Sequence, residues 1–175
     1  MSGFGVLRGK RVVLRPVDPG DAAPLTRIHR DPDVARWWGQ PQDSWLDPEH
    51  GVVAYTIEAD GRVVGFAQTY ETDDPRRRFA GLDLFVDPAV QGQGLGLEAV
   101  EALVGWLHAT RHHRIVIDPA AGNAAAIACY AKAGFRPVGI MRAYERDRTP
   151  GVDGARGWHD GLLMEHVLPA GEDVH

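Results

Sequence analysis

The chain is 175 residues long, 44% hydrophobic and 25% charged, the balance of a globular domain. No run of roughly 18 apolar residues is present to cross a membrane, and residues 1–10 hold no apolar stretch long enough for a secretory signal. A single cysteine excludes an internal disulfide framework or a multi-cysteine metal site, and a net charge of −5 offers no basic footprint for nucleic acid. These properties predict a cytoplasmic protein made of one α/β domain, residues 1–168, with a loose tail over 169–175.

Residues 11–15 are a short β-prone run, and 16–21 are turn and helix-start material. Asp18 or Asp21 is placed to cap a helix that carries Leu25 and Ile28 and ends near Asp31-Pro32. Residues 36–50, rich in tryptophan, proline and acid without a clear period, read as a loop with a helical turn. Val53, Tyr55 and Ile57 alternate, Asp60-Gly61 supplies a tight turn, and Val64 and Phe66 continue on the return, which predicts a β-hairpin. A charged loop over 71–78 leads to a strand over 80–86, with Leu82, Leu84 and Val86 on one face and Asp83 and Phe85 on the other. After Asp87-Pro88 and a glycine-rich turn over 91–96, Leu97, Val100, Val104 and Leu107 mark a helix to about Thr110. Residues 114–117 form an apolar strand stopped by Asp118-Pro119, and a short helix from about Asn123 to Ala133 ends at Gly134. Strands over 135–144 and 161–168 flank a charged loop at 147–159. The strand–helix–strand from 80 to 117 predicts a right-handed parallel crossover.

Gln91-Gly92-Gln93-Gly94-Leu95-Gly96 lies between a strand and a helix. Glycines there leave backbone N–H groups uncovered, and the helix start adds its positive dipole end, so a pyrophosphate can bind without a lysine. The segment is neither the dinucleotide fingerprint nor a P-loop. A loose version of the pattern recurs at Arg62-Val63-Val64-Gly65-Phe66-Ala67, but that copy sits inside the hairpin with no helix after it, and it is discarded. The plainer reading of the first copy is a glycine-rich strand-to-helix turn.

A second segment decides between these readings. Asn123-Ala124-Ala125-Ala126-Ile127-Ala128-Cys129-Tyr130-Ala131-Lys132-Ala133-Gly134-Phe135, at its distance from Gln91, Gly94 and Gly96, resembles the acyl-CoA motifs of the GCN5-related N-acetyltransferases. The resemblance implies a mixed, mostly antiparallel central sheet with helices on both faces. Its two central parallel strands, ending here near Val86 and Ile117, would splay apart to admit acetyl-CoA as cosubstrate, with no metal. It implies that Gln91, Gly92, Gln93, Gly94, Leu95 and Gly96 hold the pyrophosphate, and that Asn123 helps hold the pantetheine arm. Backbone N–H groups of Phe85 and Val86 would reach the thioester carbonyl and the pantetheine amides. Tyr130 matches the family tyrosine beside the CoA sulfur and is the candidate general acid; without the motif it would read as a helix tyrosine packed on the sheet. Cys129, pointing elsewhere on the helix, reads as core filler.

N-acetyl transfer needs an uncharged amine near the thioester, a stabiliser for the tetrahedral oxyanion and an acid for the departing thiolate. Asp83, a lone carboxylate in an apolar strand just before the splay, is the candidate base; burial would raise its pKa and a nearby cation would counteract that. Several segments resemble the aminoglycoside 6′-N-acetyltransferases within that family: Arg36-Trp37-Trp38-Gly39, Gly65-Phe66-Ala67-Gln68-Thr69-Tyr70, Gly81-Leu82-Asp83, Asp118-Pro119 and His159-Asp160-Gly161. The likeness implies a polycationic small-molecule acceptor met by Asp83, Asp118 and Asp160, with Gln68 and Tyr70 on its hydroxyls and Trp38 over a sugar face. Arg76-Arg77-Arg78 and the arginines at 142, 146, 148 and 156 depart from that pattern, since cations near such a pocket would repel. Alternatives are a lysine-type amine in siderophore assembly, a protein amino group, or a non-catalytic acyl-CoA-binding regulator. Monomer and homodimer stay equally open. His108, His112 and His113 cluster at a helix end, where a favourable charge effect accounts for them better than metal ligation.

Overall fold

The computed structural model describes residues 5–47, 49–72, 74–110, 112–146 and 157–168. Eight strands form one sheet: β1 (Leu7–Arg8), β2 (Val12–Pro16), β3 (Val52–Ala59), β4 (Arg62–Glu71), β5 (Ala80–Val86), β6 (Arg114–Ile117), β7 (Arg136–Arg146) and β8 (Trp158–Val167). Four helices accompany them: α1 (Ala22–His29), α2 (Pro32–Trp38), α3 (Leu95–Ala109) and α4 (Ala124–Lys132). The strand order is β1-β2-β3-β4-β5-β6-β8-β7, and every neighbouring pair is antiparallel except β5 and β6.

Both faces of the sheet are covered, as the resemblance implies, and the side chains of β5 divide between them. Leu82 packs with Leu95, Val100, Leu103 and Leu107 of α3, and with Tyr130 of α4, in the larger core. Phe85, one residue out of phase, packs on the opposite face with Leu25, Ile28 and Val34 of α1 and α2, against Trp38 and Trp45. Burying each such side chain is worth about 1.5–3 kcal/mol.

Asp31-Pro32 works differently from its reading as a stop. The Asp31 carboxylate accepts from the Asp33 N–H at 3.0 Å with Pro32 in the first turn, so the pair starts α2, which runs into the predicted loop as far as Trp38. The Asp60-Gly61 turn has both residues at positive φ, 50° and 70°, as a two-residue hairpin of this twist requires. Strand β7 extends two residues beyond the predicted end and β8 starts three earlier, at Trp158. The rest of the charged loop, with Arg148 and Arg156, and the tail beyond Leu168 lie outside the described residues. The histidines at the end of α3 brace neighbours instead of only facing the helix dipole. His108 Nδ1 lies 2.7 Å from the His112 carbonyl and its Nε2 lies 2.9 Å from His166 Nδ1, while His112 Nε2 lies 3.2 Å from Glu71. Among the described residues no group of three or more His, Cys, Asp or Glu could hold a metal ion, and no helix is long and apolar enough to cross a membrane.

The feature that positions the site is the break between the parallel strands. Pairing of β5 with β6 is confined to Ala80↔Ile115 and Gly81↔Val116, and β5 continues five residues further without that partner. The end of β5 is held from the other side, where the Asp87 N–H donates to the Val64 carbonyl at 2.7 Å and the Asp87 carboxylate pairs with Arg27 at 2.7 Å.

Candidate active site

A cleft of about 970 Å³ opens where β5 and β6 diverge, walled by the turn into α3, by α4 and by the β7–β8 pair. Its first half is backbone. Gly94, at φ 83°, is the N-cap of α3 and offers no side-chain cap, so the first-turn N–H groups of a 15-residue helix open toward the cleft. Gly92 takes φ 77°, which a residue with a Cβ seldom adopts. Gln91 folds back, its Nε2 donating to the Val86 carbonyl at 2.9 Å. With the Asp87 N–H bonded to Val64, alternation along the strand turns the Phe85 N–H toward β4 and the N–H groups of Leu84 and Val86 toward the gap.

The loop has a brace that sequence reading missed. Arg11, just before β2, donates through Nη2 to the Gln93 carbonyl at 2.8 Å and through Nε to Glu98 of α3 at 2.7 Å. Gln93 thus faces Arg11 and does not line the cleft, whereas Gln91, Gly92, Gly94, Leu95 and Gly96 do. On the opposite wall Asn123 caps α4, its side-chain oxygen accepting from the Ala126 N–H at 3.2 Å, and it also borders the cleft.

The second half is polar and acidic. Asp83 is half-buried on β5 and accepts from Gln68 Nε2 of the paired strand at 3.2 Å. Tyr70 lies across Gly81, where a Cβ would run into its ring, so the glycine makes the seat for the phenol. Asp118, just past β6, accepts a hydrogen bond from the Tyr144 hydroxyl of β7. Burial raises the Asp118 carboxyl above its ordinary range, the Tyr144 bond opposes that, and Glu145 adds to the rise. Tyr130 is buried between the halves; desolvation first, then the neighbouring Cys129, Asp83 and Asp118, pushes its phenol far up, so it keeps its proton. Burial likewise raises Cys129, which lines the cleft while packing on the core.

Trp38, Gln68, Tyr70, Asp83, Phe85, Val86, Asp118, Asn123 and Tyr130 are thus brought together with the glycine-rich loop. Asp160 is not among the lining residues: its Oδ1 accepts from the Ala143 N–H at 2.8 Å. None of Arg76, Arg77, Arg78, Arg142 and Arg146 lines the cleft, and Arg77 pairs with Asp74 on the exposed β4–β5 turn. Tyr144, Glu145 and His159 do line it without having been singled out in the sequence. Adjacent residues 144 and 145 both reach the cleft because β7 is irregular there, and no glycine or asparagine signals the irregularity.

Residues 11–136 match the model of the acetyltransferase (GNAT) domain family. The chain is 31% identical over 155 residues to an aminoglycoside N(6′)-acetyltransferase type 1 of Klebsiella pneumoniae, covering 74% of this chain and 76% of that protein. It is 33% identical over 110 residues to the ribosomal protein bS18-alanine N-acetyltransferase of Escherichia coli K12, covering 63% and 68%. Among solved structures, aminoglycoside acetyltransferase AAC(6′)-Ib in complex with coenzyme A and kanamycin superposes with a TM-score of 0.69 at 26% identity, covering 89% of this chain and 94% of that one.

Proposed function

The chain belongs to the GNAT acetyltransferase family, an acetyl-CoA-dependent N-acetyltransferase, and from that premise we propose that its acceptor is an aminoglycoside acetylated at the 6′-amine. The observation that carries this reading is the charge of the acceptor half: Asp33, Asp83, Asp118 and Glu145 line the cleft against one lysine, Lys132. A ligand with several ammonium groups on a rigid polyol suits such a wall, each opposed pair being worth about 1 kcal/mol in water and ~4 kcal/mol at a surface-like dielectric. Gln68 and Tyr70 supply hydroxyl partners, and Trp37 and Trp38 supply rings for a sugar face or an ammonium.

The donor half would take acetyl-CoA with its pyrophosphate on the α3 start and its pantetheine arm between β5 and α4, near Asn123. Asp83 accepts the proton of the acceptor ammonium, directly or through a water, and the freed amine attacks the thioester carbonyl carbon. As the C–N bond forms, the carbonyl oxygen becomes an oxyanion facing the Val86 N–H. Collapse breaks the C–S bond, the Tyr130 hydroxyl gives its proton to the CoA sulfur, and the second proton of the attacking nitrogen leaves through water to restore the Tyr130 phenol. The products are the neutral amide and the CoA thiol, with the ammonium's first proton passing from Asp83 to solvent. No covalent enzyme intermediate is needed, which leaves Cys129 without a chemical part.

The test is CoA thiol release from acetyl-CoA with kanamycin or tobramycin, beside free lysine, hydroxylysine and a peptide with an N-terminal alanine. Turnover with the drugs, lost when the 6′-amine is replaced by hydroxyl, is the expected result. Silence with every drug and turnover on lysine or the peptide would move the acceptor to a lysine-type or protein amine, as the similarity to the ribosomal-protein enzyme would suggest.

A further inference from the structure

We propose that Asp160 and Tyr144 are positioning residues that aim Asp118 at the acceptor, and that Asp160 does this through an oxygen that accepts a hydrogen bond and not through its charge. The inference rests on the reading of Asp118 as an acceptor-side carboxylate. Between Met141↔Gly161 and Glu145↔His159 the β7–β8 register slips, so that three residues of β7 stand opposite Asp160 alone. Within that bulge Ala143 has φ 46°, a left-handed conformation that a residue with a Cβ adopts at a cost. The Asp160 carboxylate offsets it by taking the Ala143 N–H at 2.8 Å, a group the broken ladder has turned away from any strand partner.

The consequence falls on the next residue. The bulge lays the Tyr144 ring over Gly161, where an added Cβ would stand 2.8 Å from the ring and 3.1 Å from Met141, so only glycine leaves the space. From there the Tyr144 hydroxyl donates to Asp118. The backbone of residues 160–162 of β8 holds the turn that carries Asp118. The Ala121 N–H donates to the Asp160 carbonyl at 2.8 Å, and the Leu162 N–H donates to the Pro119 carbonyl at 2.9 Å. Residues 160–162 therefore grip the Asp118 turn with their main chain and the Tyr144 bulge with one side chain. An Asp160 so engaged is poorly placed to meet a cation in the cleft, which it does not line.

An oxygen acceptor and a charge separate cleanly by substitution. Acceptor KM, kcat and acetyl-CoA Kd are measured for Asp160→Asn, Asp160→Ala, Tyr144→Phe and the double variant Asp160→Ala/Tyr144→Phe. Asparagine keeps the acceptor oxygen, so Asp160→Asn is expected within about twofold of the parent. Asp160→Ala and Tyr144→Phe should each raise acceptor KM roughly tenfold, the scale of one hydrogen bond to a charged group. Acetyl-CoA Kd should not change, and the double variant should be no worse than either single one, because both cut the same chain of contacts. An Asp160→Asn enzyme with a large rise in acceptor KM would overturn the proposal in favour of a direct charge contact, and it decides the point even if Asp160→Ala does not fold. Multiplying losses in the double variant would overturn it as well. If the parent acetylates no amine, the functional reading has failed, and the latch is then read without substrate. The Asp118 carboxyl is followed by carbon-13 NMR in the acetyl-CoA-free protein. Its midpoint should rise in Tyr144→Phe and Asp160→Ala and hold in Asp160→Asn, and a midpoint indifferent to Tyr144→Phe and Asp160→Ala would overturn the proposal.

Discussion

Tyr130 shows how one side chain can belong to the core and still suit the proposed acid role. It is 7% exposed and packs with Leu82, Leu103 and Phe135, and the same burial that makes it core holds its phenol neutral across the working pH range. A neutral phenol beside a departing thiolate can give a proton; an ionised one could not. Replacing Tyr130 with phenylalanine keeps the ring and removes the hydroxyl. It should lower kcat by roughly a hundredfold or more, with CoA affinity unchanged, as single-turnover kinetics and calorimetry would show. An unchanged kcat would remove the acid role. A second residue, Asp21, acts on stability alone. Hydrogen bonds from Arg15, opposed by its burial and aided by the Asp18 N–H and Thr56, hold its carboxyl at about 2 against an ordinary 3.8. Because the folded pKa is the lower one, the stabilisation is complete above about pH 4 and is lost as pH falls through about 2. The difference amounts to about 2 kcal/mol for the Arg15–Asp21 pair as a whole. Asp21→Asn should cost about that much at neutral pH in urea unfolding, with the gap closing toward pH 2.

At the scale of elements the donor half depends on the junction of β5 with α3. A helix whose N-cap is a glycine at φ 83° presents N–H groups that no side chain occupies, and Arg11 holds the preceding turn to Glu98 one turn into the helix. Gly94→Val puts a β-branched residue into a left-handed conformation it resists. CoA affinity should fall at least tenfold while far-UV circular dichroism stays native, and tight binding by the variant would mean that the loop is not the pyrophosphate site. The elements themselves were largely legible. Strand β5, strand β6 and the Asp60-Gly61 hairpin fall where alternation and turn chemistry put them, because each is governed by residues close in sequence. Helix α2 was half missed for a local reason: Asp31-Pro32 reads equally well as the end of one helix and the cap of the next. Tyr144 was missed for a non-local one, since its direction depends on an alanine in a glycine-like conformation that Asp160, seventeen residues away, makes tolerable.

At the scale of the whole molecule the sheet is held apart in its middle. Five residues of β5 run on beyond their last pairing with β6, and the hydrogen-bonding edges facing the gap are left for a ligand. Acetyl-CoA seated there would complete the sheet as a wedge, and that makes stability a binding assay. At a concentration of 100 Kd it should add about 2.7 kcal/mol, a rise of roughly 5–10 °C in Tm for a chain of this size. The Gly94→Val variant should lose that rise, and a parent protein whose Tm ignores acetyl-CoA would contradict the wedge.

By itself the sequence determined the order of the elements, the glycine-rich turn that starts α3 and the segment from Asn123 to Phe135 that resembles an acyl-CoA motif. Each is a short contiguous pattern whose physics is local: period, cap, glycine and helix start. Only the tertiary structure decided which charged side chains share the cleft. It brings Asp83 and Asp118 to one mouth from strands that part after two pairs, and adds Tyr144 and Glu145 from an edge strand far along the chain. It also leaves Asp160 and the five arginines at 76, 77, 78, 142 and 146 outside the cleft lining, with Asp160 engaged on the Ala143 N–H. Charge and residue type are written in the chain, but direction is set by register, bulges and packing between segments distant in sequence, and no local pattern records those.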